Sequence, residues 1–368
     1  TSSPLLGQCV FNWSEDGQRI FYLQRTGIVA LVDRDSGSFI YDCIDKKIAG
    51  LSENKMTIKC GLNLIIFFDD GNVKVFDQSN WTEVASYNFD VQFTTYAYNS
   101  DEAKIAVTSE RDDNVIVFNL LSGDLLHNFG PVLPRASSLC FADADKLVIG
   151  REDGSLLVGD CSTGVVVPMT GNIDTVWDIK KIPFRGAVLT CHIDRKIGIW
   201  NLQRDQLIDT ITMPFDFFVE YVSISPDARY VVLICPENKL LLLRLENNEI
   251  IDFDTPMLFK ITTSWSADSK KLALHFNRSK VVIFDVESRQ FSPTLENKIA
   301  GVFSPTNPNE LAMIDVSEAG QRVEILDTSL QAGLSMEQKV FILNTSVLMQ
   351  EAVTGRQREL YSSLPDEA

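Results

Sequence analysis

The chain has 368 residues, 45% of them hydrophobic and 23% charged, and a formal net charge of −17. That is enough apolar material for two ordinary domains or one large closed β architecture. The charge has the wrong sign for a partner held through phosphates, because nucleic-acid binding rests on clustered Lys and Arg, so proteins with basic surfaces are the expected partners.

No apolar run approaches the roughly 20 residues that cross a bilayer. The 7 cysteines contain no CxxC pair, so neither a zinc site nor a disulfide framework is indicated. Small buried thiols of this kind fit a reducing, intracellular compartment, cytoplasm or nucleus.

In chain order, a short apolar run closed by a polar residue recurs throughout. It reads Ile28-Val29-Ala30-Leu31-Val32-Asp33, Val73-Lys74-Val75-Phe76-Asp77, Val115-Ile116-Val117-Phe118-Asn119 and Leu156-Leu157-Val158-Gly159-Asp160. It continues as Ile197-Gly198-Ile199-Trp200-Asn201, Leu240-Leu241-Leu242-Leu243-Arg244, Val281-Val282-Ile283-Phe284-Asp285 and Val323-Glu324-Ile325-Leu326-Asp327. The closing positions advance in steps of 41 to 44 residues. A fixed period of this length is the mark of a repeat architecture.

Each unit carries a second apolar run upstream, as in Arg19-Ile20-Phe21-Tyr22-Leu23 or Tyr230-Val231-Val232-Leu233-Ile234. Turn formers separate the two runs. Asp70-Gly71 and Asp153-Gly154 are hairpin signals, because glycine accepts the positive φ a tight connection requires; Asp112-Asp113, Asp194-Arg195 and Glu237-Asn238 stand in the same place elsewhere. A second turn precedes the upstream run, as Trp13-Ser14-Glu15-Asp16-Gly17, Ser225-Pro226-Asp227, Trp265-Ser266-Ala267-Asp268 or Phe303-Ser304-Pro305. With a less regular segment after the polar residue, each unit holds four strands, and the fold class is all-β, radially repeated antiparallel sheets.

Over about residues 8 to 336 this pattern resembles the WD40 family of β-propellers. Ser225-Pro226-Asp227 with the following apolar run is similar to the first hairpin of a family blade, and His192-Ile193-Asp194-Arg195-Lys196-Ile197-Gly198-Ile199-Trp200-Asn201 to its third strand with the closing dipeptide. Only Trp200 supplies the expected Trp, Asn119, Asn201 and Arg244 replace the closing Asp, and no unit opens with Gly-His. Apolar packing is therefore expected in most places where the family uses an Asp-His-Ser/Thr-Trp hydrogen-bond network. Each unit holds its own set of strands, which favours eight blades, with seven plus an extra sheet as the alternative.

The pattern changes after residue 335, so residues 1–335 are assigned to the propeller and 336–368 to a helical or flexible tail. Ser335-Met336-Glu337-Gln338 fits a capping box, and Met336, Val340, Leu343, Val347 and Leu348 share one helical face. The competing reading is that Val340-Phe341-Ile342-Leu343 forms one more strand.

The sequence offers few parts for catalysis. The 3 histidines are His127, His192 and His275; they fall within strand runs, where a satisfied framework imidazole is the expectation. There is no GxSxG, GxxxxGK[ST] or HExxH motif. No catalytic residue, metal site or cofactor is assigned, and an interaction scaffold within a larger assembly is expected. A sensor or regulatory propeller of a nucleotide-dependent signalling protein is the runner-up, and a propeller domain of a hydrolase comes after it.

The candidate contact residues lie in connections between units. Phe215, Phe217, Phe218, Glu220 and Tyr221 combine aromatic anchors with acid, the composition of an interface hot spot for a basic partner; the alternative is that Phe217 and Tyr221 open a strand and pack between blades. The segments around Arg135 and around Asp174 and Trp177 are the other candidates. The resemblance implies that connections entering a blade's first strand line its narrower face and hold ligand peptides.

Overall fold

A computed structural model describes residues 9–14, 16–24, 29–35, 39–40, 54–60, 63–68, 72–77, 82–89, 93–99, 103–171, 173–214, 219, 221–235, 239–254, 262–276, 279–315, 322–329 and 338–342. These residues form eight antiparallel sheets, each built from one contiguous stretch of chain, and the architecture is an all-β propeller of eight blades. Sheet I comprises β1 (Cys9–Trp13), β2 (Arg19–Gln24), β3 (Val29–Asp33) and β4 (Phe39–Ile40). Sheet II comprises β5 (Asn54–Cys60), β6 (Asn63–Phe68), β7 (Asn72–Asp77) and β8 (Glu83–Asn88); sheet III comprises β9 (Phe93–Asn99), β10 (Lys104–Ser109), β11 (Asn114–Asn119) and β12 (Leu125–Pro131). Sheet IV follows with β13 (Ala136–Phe141), β14 (Lys146–Arg151), β15 (Leu156–Asp160) and β16 (Val166–Pro168), then sheet V with β17 (Val176–Ile182), β18 (Ala187–His192), β19 (Lys196–Asn201) and β20 (Gln206–Thr212).

Sheet VI has β21 (Tyr221–Ile224), β22 (Tyr230–Cys235), β23 (Lys239–Arg244) and β24 (Glu249–Asp254), and sheet VII has β25 (Thr262–Trp265), β26 (Lys271–Phe276) and β27 (Lys280–Asp285). The outer strand of sheet VII is broken into β28 (Gln290–Phe291) and β29 (Leu295–Glu296), both paired with β27. Sheet VIII has β30 (Lys298–Phe303), β31 (Glu310–Asp315), β32 (Arg322–Asp327) and β33 (Gln338–Ile342).

The last of these strands bears on the expected tail. Gln338–Ile342 pairs antiparallel with β32, Val323 opposite Phe341 and Ile325 opposite Lys339, so over these residues the strand reading holds in place of the helix. The physical reason is the free edge of β32, whose backbone donors and acceptors need a partner that a helix would not supply. The sheet thus runs past the expected boundary at 335, and the rest of the expected helix lies outside the described residues.

The chain falls into two compact units. One runs through sheets II to VI and the other holds sheets VII, VIII and I. Within the first unit, apolar clusters fill the spaces between successive sheets: Ile65, Val75, Ile105 and Phe118 between II and III, Val117, Leu139 and Ile149 between III and IV, Val148, Ile179 and Trp200 between IV and V, and Leu189, Ile199, Val231 and Leu243 between V and VI. This explains the continuous apolar runs of the sequence. In sheets III to V the middle strands are covered by a neighbouring sheet on both faces, and all six residues of β18 are buried, whereas outer strands such as β8 keep an alternating pattern.

In the second unit, sheet I packs beside sheet VIII, so the first and last sheets of the chain adjoin without exchanging a strand. The buried Trp13 indole donates to the Val302 carbonyl at 2.9 Å. The Arg34 guanidinium grips Glu310 with both forks, Nε to Oε2 at 2.8 Å and Nη2 to Oε1. A Cβ on Gly17 would lie 2.1 Å from Thr306 Oγ1, so that turn needs glycine for close approach as well as for its φ of +66°.

Candidate functional site

Every first strand starts at one edge of its sheet, here called the leading edge. That edge carries the connections from fourth strand to next first strand and the turns from second to third strand. The opposite, trailing edge carries the other two turns. The candidate site lies along the leading edge of sheets III to V.

Hydrogen bonds tie this edge from sheet to sheet. Arg135 Nε pairs with Asp113 Oδ1 at 2.8 Å, the Arg135 carbonyl accepts Glu152 N–H at 3.1 Å, and Thr175 Oγ1 donates to the Glu152 carbonyl at 2.5 Å. Arg151 Nη1 donates to the Leu133 carbonyl at 2.9 Å, and Ile193 N–H to the Thr175 carbonyl at 3.3 Å. A loop pinned on both sides holds its exposed side chains at low conformational cost, which is what an interface anchor requires. Leu133, Trp177 and Ile193 are 71%, 50% and 54% exposed along this edge. Around them stand the exposed carboxylates Asp112, Glu152, Asp153 and Asp174.

Trp177 owes its exposure to a β-bulge. In β17 the pairing passes from Val176 opposite His192 to Asp178 opposite Cys191, leaving Trp177 as the extra residue. The same shift occurs at Lys55 in β5, Thr94 in β9 and Ser137 in β13. Bulges re-aim a side chain, and in this repeated position sheet V carries the aromatic. Ser137 turns its hydroxyl to the Val176 carbonyl at 2.6 Å, so the bulge of sheet IV braces the strand that presents Trp177.

Behind the edge lies a buried polar chain. Trp200 Nε1–H donates to Thr190 Oγ1 at 2.8 Å, the Thr190 hydroxyl contacts His192 Nε2 at 2.6 Å, and His192 Nδ1 contacts the Asp174 carbonyl at 2.6 Å. A carbonyl only accepts, so His192 carries its proton on Nδ1 and takes the Thr190 hydroxyl proton at Nε2. Burial lowers the His192 pKa below 6.5, against the opposing pull of the Asp174 carbonyl. The imidazole is held neutral and fixes the connection that bears Asp174. Sheet V thus keeps a Trp-Thr-His network beside the apolar clusters that fill the spaces between sheets II and III, III and IV, and V and VI. His127 meets the Phe129 ring edge-on at 4.5 Å and His275 is buried in β26, so both stand within the framework.

Of the residues singled out in the sequence, Arg135, Asp174 and Trp177 come together on this edge, Trp177 as the first bulge residue of a strand instead of a loop residue. Tyr221 opens β21 and is half-buried. Phe215, Phe217, Phe218 and Glu220 lie outside the described residues. Glu152 and Ile193 were missed, although an isoleucine between two strand runs in a turn, where polar residues are the rule, was a readable signal. Among the described residues no group of three His, Cys, Asp or Glu side chains is arranged to hold a metal ion, and no helix is long and apolar enough to cross a membrane.

Among solved structures, the C-terminal WD40 domain of Sif2 superposes with a TM-score of 0.66, covering 92% of this chain and 97% of that one at 14% identity. The chain thus has the fold of a WD40-domain propeller. A computationally designed protein, Ika8, matches this propeller at a TM-score of 0.63 and 15% identity over 86% of the chain and 96% of its own. No family model matches.

Among curated proteins, the propeller is 25% identical to the WD repeat-containing protein 55 homolog of Dictyostelium discoideum over 227 residues, 60% of this chain and 53% of that protein. It is 22% identical to Echinoderm microtubule-associated protein-like 2 of Mus musculus over 161 residues, 44% of this chain and 24% of that protein. The aligned regions therefore span about half and about a quarter of these relatives.

Proposed function

We propose that the propeller is a non-catalytic, intracellular protein-interaction scaffold, one part of a larger assembly, which takes a basic segment of a partner protein along the leading edge of sheets III to V. The observation that carries this reading is Trp177, a half-exposed indole set out by a bulge, braced by Ser137 and flanked by Asp174 and Glu152. Aromatic anchors in a rigid frame dominate interface energetics, and rim charge of one sign selects partners of the other.

The fourth-to-first connection from sheet V to sheet VI belongs to the same class of connection. Phe215, Phe217, Phe218, Glu220 and Tyr221 are proposed to extend the contact surface along that edge. Direct nucleic-acid binding is not part of this function, given a net charge of −17.

A peptide array tests the reading. The purified propeller should select peptides in which one large apolar residue is flanked by Lys or Arg, and Trp177→Ser should lose that selection while remaining folded. Equal binding of acidic and basic peptides, or unchanged selection by Trp177→Ser, would overturn it.

A further inference from the structure

The trailing edge of sheet V carries an unusual side chain. Phe184, in the turn between β17 and β18, is 93% exposed and sits at a φ of +59°, a left-handed conformation that bulky residues rarely adopt. Strain of this kind persists where the surroundings fix it and clusters at functional positions. Here the turn is held at both ends, by Arg185 N–H to the Ile182 carbonyl at 3.4 Å and by Leu202 N–H to the Gly186 carbonyl at 3.0 Å. Arg185 Nη1 also reaches the Leu245 carbonyl of sheet VI at 3.4 Å.

The neighbourhood is basic although the chain is acidic. Lys181, Arg185 and Arg204 are exposed around the turn, and Arg229 of the adjoining sheet is also exposed, with Asp227 at 3.7 Å. Asp205, Asp227 and Glu246 are the opposing carboxylates around it, fewer than the cations. The leading edge has the reverse balance. Arg135, Arg151 and Lys196 there are engaged by Asp113, Asp153 and Asp194, which leaves Glu110, Asp112, Glu152 and Asp174 exposed around Leu133, Trp177 and Ile193 against the exposed Arg111.

We propose that Phe184 is a knob that docks on the leading edge of a second copy of this chain, seated against Trp177 and Ile193, with Arg185 and Arg204 facing Glu152 and Asp174. The two patches carry opposite net charge, and each exposes large apolar surface, Phe184 on one and Leu133, Trp177 and Ile193 on the other. They lie on opposite edges of the same sheets, so the contact is heterologous and propagates head to tail. The proposal rests on the leading edge being a contact surface, as in the function proposed above, and a second copy would compete with a partner protein for it.

Sedimentation velocity on the full chain tests the proposal. The unmodified protein should show a weight-average mass that rises with concentration over roughly 1 to 100 µM, the range of weak protein contacts, and falls in high salt. Phe184→Ser and Trp177→Ser should each stay monomeric, since both replace exposed side chains. An equimolar mixture of the two variants should form a capped heterodimer, because one supplies an intact leading edge and the other an intact knob. A monomeric unmodified protein, variants that associate like it, or a mixture that stays monomeric would overturn the proposal. If the unmodified protein is monomeric yet Trp177→Ser loses selection on the peptide array, self-association fails and the partner reading stands.

Discussion

The polar residue that closes each repeat shows what a single side chain must do here. Asn119 Oδ1 accepts the N–H groups of Leu121 and Ser122, Asp160 Oδ1 those of Ser162 and Thr163, and Asn201 Oδ1 those of Gln203 and Arg204. Any side-chain amide or carboxylate oxygen serves, so Asp and Asn interchange without loss of the turn. Arg244 lacks that oxygen and instead pairs with Glu249 at 2.6 Å. The Asp160 carboxyl is drawn down to about 2, first by the Ser162 hydroxyl and then by the backbone donors. His192 is the residue with the opposite constraint. Its folded pKa lies below 6.5 while the unfolded chain keeps the ordinary value, so below pH 6.5 the unfolded state binds more protons and stability falls as pH drops. Thermal midpoints measured at about pH 7.5 and pH 5.5 should differ more for the unmodified protein than for His192→Gln; equal differences would remove His192 from the account. Thr190→Val leaves both the Trp200 N–H and His192 Nε2 without their partner. It should lower stability by about 1–3 kcal/mol in urea unfolding.

At the scale of elements, the first hairpins of sheets I, VI and VII were legible because their turn chemistry is local. Ser14, Ser225 and Ser266 each donate to the Asp two residues on and accept the N–H five residues on, and Ala228 and Ser269 then take the positive φ that Gly17 takes in sheet I. What the sequence could not show is non-local. The bulge at Trp177 is a matter of register between two strands, Gln338–Ile342 becomes a strand only against the free edge of β32, and the Trp-Thr-His network joins residues from two strands and a connection. The joint between sheets I and VIII is equally non-local. Trp13→Phe keeps an aromatic side chain but removes the donor to Val302 and leaves a smaller ring in a buried place, and should cost about 1–3 kcal/mol. Glu310→Gln loses the charge of the Arg34 pair and should cost about 1 kcal/mol. Both changes should lower the thermal midpoint, and a midpoint unaltered in both would mean that this joint does not limit stability.

For the whole molecule, the period of 41 to 44 residues made the architecture readable, since eight self-contained units leave little choice of topology. The proposed contact surface was readable only in part. Arg135, Asp174 and Trp177 were singled out because they lie in or beside connections of one class, whereas Glu152 and Ile193 stand on the same edge through hydrogen bonds to Arg135 and Thr175 that the sequence does not show. With a net charge of −17, binding of a basic partner should weaken as ionic strength rises, mainly through a slower association rate; binding that is insensitive to salt would argue against the acidic rim. Phe217→Ser with Phe218→Ser should reduce partner recovery if the sheet V to sheet VI connection belongs to the same surface. The most direct measurement is quantitative affinity purification with the unmodified chain, with Trp177→Ser plus Ile193→Ser, and with a control pair on outer strands, Leu125→Ser plus Val84→Ser. The leading-edge pair should lose the recovered partners while the outer-strand pair keeps them. Full partner recovery by a folded Trp177→Ser, Ile193→Ser protein would contradict it.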